Sequence, residues 1–314
     1  MKQELQKLQE NIAQVLVGKE EIVELLMVAL IGKGHVLLED VPGTGKTMLA
    51  KSLAKSIKSR FKRIQLTPDV LPSDITGIQY FNPKTQTFEL KQGPVFTNIL
   101  LTDEINRATP RTQASLLEVM EERQVTIEGE TLQVEPPFIV IATQNPIEQQ
   151  GTFPLPEAQM DRFFMQINVG YPSVEEEKQM LQMYRQEEPL EGLEPIFEPS
   201  DIIQFQEDVK KVTLSNDVED YLLQVVQATR GHEYVETGVS PRGTLAFMRA
   251  VQARAFLHDR TYVTPDDIKT LAPHVLSHRL VLTMEGEMRA SKKSVLESIL
   301  FGIEAPVEAG ADVQ

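Results

Sequence analysis

Apolar positions near the start of the chain recur at Leu5, Leu8, Ile12 and Leu16, with polar residues between them. The spacing is helical, and it resumes at Ile22, Leu25, Leu26, Ala29 and Leu30 after an interruption at Gly18. Two helices around a Val17-Gly18 break are therefore predicted. The pattern then changes to short apolar runs of strand length, at 35–39, 61–65, 99–101, 138–142 and 164–169. Helical segments separate several of them, notably 48–57 and 112–122. Strands alternating with helices predict an α/β fold, with a parallel five-stranded sheet covered by helices.

Two segments interrupt the alternation. Residues 75–81 and 86–90, joined by Asn82-Pro83-Lys84-Thr85, read as a hairpin, and so do 124–127 and 131–134 around a Glu-Gly-Glu turn. Surface decoration explains such hairpins as well as any function does. Residues 187–200 are rich in Pro, Glu and Gly, lack periodicity and read as a linker. Beyond it the pattern is helical at 202–209, 218–229, 243–257 and 265–271. Thr264 before Pro265-Asp266-Asp267 is a good helix start, with a cap and early carboxylates. The division expected is a nucleotide-binding core over 1–188, a helical lid over 199–303 and a disordered acidic tail over 304–314.

Composition narrows the picture. The chain has 314 residues, 41% hydrophobic and 25% charged, ordinary for a globular protein able to bury a sizeable core. It has no cysteine, which excludes disulfides and thiolate metal sites. Net charge is −15, against the basic surface that a generic nucleic-acid binder needs for phosphate neutralisation. The start, Met1 to Gln6, is polar and lacks a signal-peptide pattern. The longest apolar run, 25–31, is far short of the ~20 residues that span a bilayer. A cytoplasmic protein without membrane insertion is expected.

The strongest local chemical signal is Asp40-Val41-Pro42-Gly43-Thr44-Gly45-Lys46-Thr47, between a predicted strand and helix. Glycines let a loop curl so that backbone N–H groups point at a phosphate chain, and the helix start adds its positive dipole end. Lys46 would neutralise the β- and γ-phosphates of ATP, and the Thr47 hydroxyl would ligate Mg²⁺. Asp40 stands where the usual motif has its first glycine. A chance glycine-rich turn is the plain alternative. The second signal is a buried strand ending in Asp103 and Glu104. A strand end beside such a loop suits a magnesium ligand, Asp103, and a residue that polarises the attacking water, Glu104. A solvated acidic turn is the competing explanation.

With these two motifs in view, the sequence resembles the MoxR family of AAA+ ATPases from about Gln9 to Leu282. Further segments carry the resemblance: Gln65 through Gly77, Gly93-Pro94-Val95-Phe96, Asp103 through Ala108, Ala142 through Pro146, Gly151 through Phe163, and Val239 through Gly243. The resemblance implies a P-loop AAA+ core with a small α-helical lid domain. It implies that Asn145 is sensor 1, Arg162 an arginine finger reaching a neighbouring subunit's ATP, and Arg242 sensor 2 on the lid. It places Val17 and Gly18 at the adenine pocket and Met48 at the end of the nucleotide-binding run. Each has a plainer reading: an Asn in a turn before Pro146, an Arg paired with Asp161 or Glu157, a helix-start Arg, a buried Val beside a helix-breaking Gly. The resemblance further implies hydrolysis in a homo-oligomeric ring, a hexamer by expectation. It also implies a chaperone-like role in remodelling or maturing protein clients, including metal cofactor insertion, and partners with von Willebrand factor A domains. The two hairpins would face the pore or the neighbour, with Tyr80 and Phe81 able to grip a client, or would pack locally. Three rivals remain at this point: a DNA-acting AAA+ motor, a scaffold that binds ATP without hydrolysing it, and a magnesium-chelatase-like motor subunit.

Overall fold

The computed structural model describes residues 1–39, 43–145, 151–185 and 189–306. Asp40, Val41 and Pro42 of the glycine-rich turn lie outside the described residues. So do Pro146, Glu187 in the expected linker, and 307–314 of the acidic tail. The chain divides into two compact units, Lys2–Gln206 and a second that begins at Glu207. The first helix expected in the lid thus falls largely with the first unit.

In the first unit the elements run α1 (Lys2–Ala13), α2 (Glu20–Ile31), β1 (Val36–Glu39), α3 (Lys46–Ser56), β2 (Phe61–Gln65), α4 (Pro72–Thr76), β3 (Gly77–Asn82), β4 (Thr87–Gln92), β5 (Ile99–Asp103), α5 (Pro110–Glu122), β6 (Gln124–Ile127), β7 (Glu130–Gln133), β8 (Ile139–Gln144), α6 (Glu157–Met160), β9 (Met165–Ile167), α7 (Val174–Met183) and α8 (Pro199–Asp208). Five strands form one sheet in the order β2-β5-β8-β1-β9, every neighbouring pair parallel. The central strands are continuous apolar runs because helices cover both faces: every residue of β5 is buried, as are Ile139 to Thr143 of β8. The edge strand β2 reads differently. Lys62, Arg63 and Gln65 are polar and exposed or half-buried, as an edge requires. Its register sets Gln65 beside Asp103 and Arg63 beside Leu101.

The apolar core gathers Leu37, Leu100, Leu117, Phe138, Val140 and Phe163. His35 is built into it as a neutral ring. Its Nε2 donates to the Met120 carbonyl at 2.8 Å, and its Nδ1 accepts from the Val140 N–H at 2.9 Å. Burial, with the Arg123 charge adding to it, pushes its pKa down to about 3.

Both expected hairpins form, β3 with β4 and β6 with β7. Ile75 and Thr76 belong to the short helix α4 instead of the first hairpin, because Pro72 and the Asp74 carboxylate, which accepts from the Leu71 N–H at 2.8 Å, start a helical turn there. Helix α7 was not legible in the apolar pattern. It starts from a capping box, Ser173 with Glu176, and carries three glutamates in its first turn.

The second unit consists of α9 (Asn216–Gly231), β10 (Val235–Thr237), α10 (Pro241–Leu257), α11 (Pro265–Leu276), β11 (Val281–Leu282), α12 (Met284–Arg289) and α13 (Lys292–Gly302), with α10 packed on α11. Asp267 at the start of α11 is fully buried and bound by Arg254 and Arg260. Among the described residues, no helix is long and apolar enough to cross a membrane.

Candidate nucleotide site

The switch in strand order falls between β1 and β8, whose C-terminal ends open on one side of the sheet. Ligands of open parallel sheets bind at such a crevice. A cleft of about 370 Å³ lies there. It is lined by Gly43, Gly45, Lys46, Thr47 and Met48, by Asp103 and Glu104 at the end of β5, by Thr143, Gln144 and Asn145 at the end of β8, and by Arg63 and Gln65. Residues from four separate stretches of sequence therefore meet around one space.

Local geometry explains why these residue types stand there. Gly45 caps α3 in the left-handed region, at φ +87, where side chains are disfavoured. A Cβ on it would also meet Leu16 Cδ2 at 2.9 Å. Lys46 and Thr47 are the first residues of α3, whose leading N–H groups have no partner within the helix. Glu104 leaves β5 in a left-handed conformation, φ 58 and ψ 53, which is unusual for a residue with a side chain. Backbone of that kind clusters at functional sites.

The two carboxylates are held by different neighbours. Arg63 Nε donates to Asp103 Oδ2 at 2.6 Å, and the Thr143 hydroxyl donates to Oδ1 at 3.3 Å. Gln65 Nε2 donates to Glu104 Oε2 at 2.7 Å, and Arg107 Nε lies 3.0 Å from the same oxygen. Thr143 also accepts from the Glu104 N–H at 2.9 Å, which ties the base of the two side chains together. Gln65 and Thr143 fall in segments that carry the resemblance but received no role from the sequence, and Arg63 was not singled out. The register of β2 and β8 on β5 brings the three to the carboxylates.

A second space, of about 640 Å³, is lined by Gly43, Thr44, Tyr171, Pro172, Glu177, Met180, Leu181 and Tyr184. Gly43 belongs to both linings, so a polar cleft and a more apolar groove meet at the glycine-rich turn. Helix α7 and its C-cap Tyr184 supply half of the groove lining through positions 177, 180, 181 and 184, one helical face. Val17 and Gly18 line neither space. Gly18 stands at φ +69, where side chains are disfavoured, and a Cβ on it would meet the Glu176 carboxylate of α7. Tyr184 Oη donates to the Val15 carbonyl at 3.2 Å and pins the end of α7 to the same segment.

The donor set fits a magnesium-bound triphosphate. Thr47 and Asp103 offer only oxygen, the ligand a hard cation prefers. Among the described residues there is no group of three or more His, Cys, Asp or Glu able to hold a metal by itself. An ion in the cleft would therefore complete its shell with phosphate oxygens and water, as magnesium commonly does. Arg162 lines neither space; its Nε lies 3.3 Å from Glu121 Oε2, not against Asp161 or Glu157. Arg242 is an exposed residue in the first turn of α10, in the second unit, where the Ser240 hydroxyl accepts from the Gly243 N–H at 3.0 Å.

Comparison with known proteins agrees with the architecture. The profile of the ATPase family associated with various cellular activities (AAA) matches residues 35–165, and that of an AAA lid domain matches 227–299. Chaperone MoxR1 of Mycobacterium tuberculosis is 43% identical over 284 residues, 88% of this chain and 75% of that one. The uncharacterized protein YeaC of Bacillus subtilis is 49% identical over 308 residues, 98% of this chain and 96% of its own length. A solved structure from Cytophaga hutchinsonii, described as a candidate ATPase, superposes with a TM-score of 0.90 at 37% identity, covering 98% and 96% of the two chains. With a five-stranded parallel sheet, a glycine-rich turn at its switch point and these relatives, the chain belongs to the MoxR family of AAA+ ATPases.

Proposed function

We propose that this chain binds ATP with Mg²⁺ at the cleft described and hydrolyses it to ADP and phosphate as one subunit of a homo-oligomeric ring. The observation that carries the reading is the shared Gly43: a polar cleft ending in Lys46, Thr47, Asp103 and Glu104 continues into a more apolar groove suited to a nucleobase. Lys46 and the N-terminus of α3 hold the phosphates, and Thr47 and Asp103 hold the metal. Glu104 polarises the water, and Asn145 orients it. Thr44 and Met48 line the site, and Val41 and Pro42 complete the nucleotide-binding run expected from the sequence. Val17 and Gly18 support the base from behind α7, a less direct role than the resemblance implied.

Arg162 acts in a neighbour's site, where a guanidinium stabilises charge developing on the transferred phosphoryl group. The pair with Glu121 leaves its side chain 33% exposed and available to exchange partners. Arg242 reads nucleotide state on the lid unit. The relative named Chaperone MoxR1 supports extending the reading to remodelling or maturation of protein clients. Metal cofactor insertion and partners with von Willebrand factor A domains extend it further, on the family resemblance of the sequence alone. A hexamer in the cytoplasm completes the proposal. The −15 net charge disfavours the DNA-acting alternative.

Phosphate release by the purified chain tests the central point. Arg162→Ala is expected to keep nucleotide affinity and to lose roughly 10³-fold in turnover, the scale of arginine-finger removal. Wild-type turnover in that variant would refute the shared site. Sedimentation with and without ATP tests assembly; a monomer under both conditions at high concentration rules out the ring.

A further inference from the structure

Asp103 is the carboxylate on which a divalent cation would rest, and it already holds a cation. Its side chain is 11% exposed, and Arg63 Nε meets its Oδ2 at 2.6 Å. Only the longer hydroxyl contact from Thr143, at 3.3 Å, engages the other oxygen. A buried carboxylate left without compensating charge is costly. A guanidinium and a divalent ion on the same carboxylate repel each other, more strongly where water is scarce. The two occupants are therefore alternatives.

Arg63 is built to leave. It sits on the edge strand β2, with solvent on its free side, and its side chain is 49% exposed. Beyond Asp103 it donates a 3.2 Å hydrogen bond to Gln65 Oε1, a neighbour on the same strand. The arginines that serve Asp267 are placed otherwise: Arg254 and Arg260 are 15% and 23% exposed and converge on one fully buried carboxylate. Those are permanent fittings, whereas Arg63 can rotate outward without repacking anything.

Resting on the reading of the cleft as a magnesium–nucleotide site, we infer that Arg63 is a cation placeholder. It neutralises Asp103 while the cleft lacks metal, is displaced when a divalent ion arrives, and sets the concentration at which that ion is accepted. Arg63 is thus a positioning residue: it acts by competing for Asp103. The competition makes metal binding weak in the absence of nucleotide and lets the triphosphate, which brings its own oxygens, decide when the exchange occurs.

The test uses the full chain without nucleotide, titrated with Mn²⁺ and read by the loss of the free-ion paramagnetic resonance signal. Arg63→Gln is expected to bind Mn²⁺ about tenfold tighter than wild type, while Arg63→Lys, which keeps the charge, stays within about threefold, within the range of outer-shell effects on metal affinity. Adding Asp103→Asn to Arg63→Gln should abolish the gain. A damaged fold lowers metal affinity, so a gain is a readout that mere structural loss does not produce. An Arg63→Gln chain that binds Mn²⁺ no tighter than wild type overturns the inference, as does a gain that survives Asp103→Asn. Binding of a fluorescent ATP analogue in chelator and in Mg²⁺ is measured alongside. If wild type takes up no nucleotide in either, the nucleotide reading fails on that result, while the placeholder still stands or falls on the Mn²⁺ titration.

Discussion

Asp103 in the first unit and Asp267 in the second are both buried aspartates bound by arginine, yet they are held in opposite ways. Asp267 is fully buried. It receives Arg254 Nη1 at 2.6 Å, Arg260 Nη1 at 2.6 Å and Arg260 Nη2 at 2.7 Å, and it accepts from the Thr264 N–H at 2.9 Å. Burial alone would raise its pKa; the hydrogen bonds from Arg260 and the Thr264 N–H, with the nearby arginine charges, outweigh it and hold the carboxyl below the usual range. Asp103 has one half-exposed arginine on one oxygen and a long hydroxyl contact on the other. A saturated carboxylate fixes a helix start, while one held by a single half-exposed arginine beside a cleft can exchange that partner for a ligand. Burial and an arginine partner are common to both, so neither separates a structural aspartate from a functional one. Spare coordination and an open side do.

The largest effect expected from breaking this contrast is at Asp103. Asp103→Asn keeps one oxygen to accept from Arg63, with an NH2 that can donate to the Thr143 hydroxyl, but removes the charge a metal needs. Turnover should fall roughly 10²–10³-fold, the scale of losing one electrostatic contact to the reacting group. Stability should change by less than about 1 kcal/mol, since the Arg63 end of the pair is half exposed and the asparagine keeps a polar group in place. A phosphate-release assay and a urea melt on the same preparation check both halves. Near-normal turnover would remove Asp103 from the metal site.

Asp267→Ala should do the reverse. It leaves two converging guanidinium groups without their shared carboxylate and removes the cap interaction at the start of α11. Breaking a buried pair from one side commonly costs ~3–5 kcal/mol. The loss should appear in the second unit, as faster amide exchange along α10 and α11, with exchange in the five-stranded sheet unchanged. A variant whose α11 exchanges like wild type would mean that packing of α10 on α11, not the charge network, holds that unit.

How much of this was legible in the sequence follows the same division. Lys46, Thr47, Asp103 and Glu104 stand in short motifs whose chemistry is local, and the sheet was readable because its central strands are unbroken apolar runs. Their meeting in one cleft was an expectation that the strand order explains. The roles of Arg63 and Gln65 were not legible, although Gln65 opens one of the segments that carry the resemblance. On an edge strand they read as ordinary solvated positions, and their importance comes from the parallel register that sets Gln65 opposite Asp103. Helix α7 was missed because its first turn is acidic, and its groove-facing Met180, Leu181 and Tyr184 follow a polar start. Arg162 and Arg242 came from resemblance alone. Their proposed partners lie in another subunit or on the other unit, where one chain's local pattern has no hold. Asp267 was read correctly as an early carboxylate of a capped helix, but the convergence of Arg254 and Arg260 on it is tertiary.

The smallest effect separates acid sensitivity in the two units. Asp267 has a depressed carboxyl pKa, so its contribution is fully present above the ordinary carboxylate pKa and disappears only as pH falls below that range. His35 acts earlier. Its folded pKa is about 3, well below the ordinary histidine value, so folding resists protonation that the unfolded chain accepts. The stability that depends on a neutral ring is complete above about pH 6.5 and declines by about 1.4 kcal/mol per pH unit below it, until the folded pKa is reached. Between pH 6.5 and 5 the first unit should thus lose about 2 kcal/mol through this one ring. The Val140 amide, which donates to the His35 ring, is a local reporter. Its free energy of exchange should track that slope after correction for intrinsic rates, and His35→Gln should flatten it at whatever baseline stability the variant has. Equal slopes in wild type and variant would show that the first unit's acid response lies elsewhere, with the carboxylates of the cleft as the next groups to test.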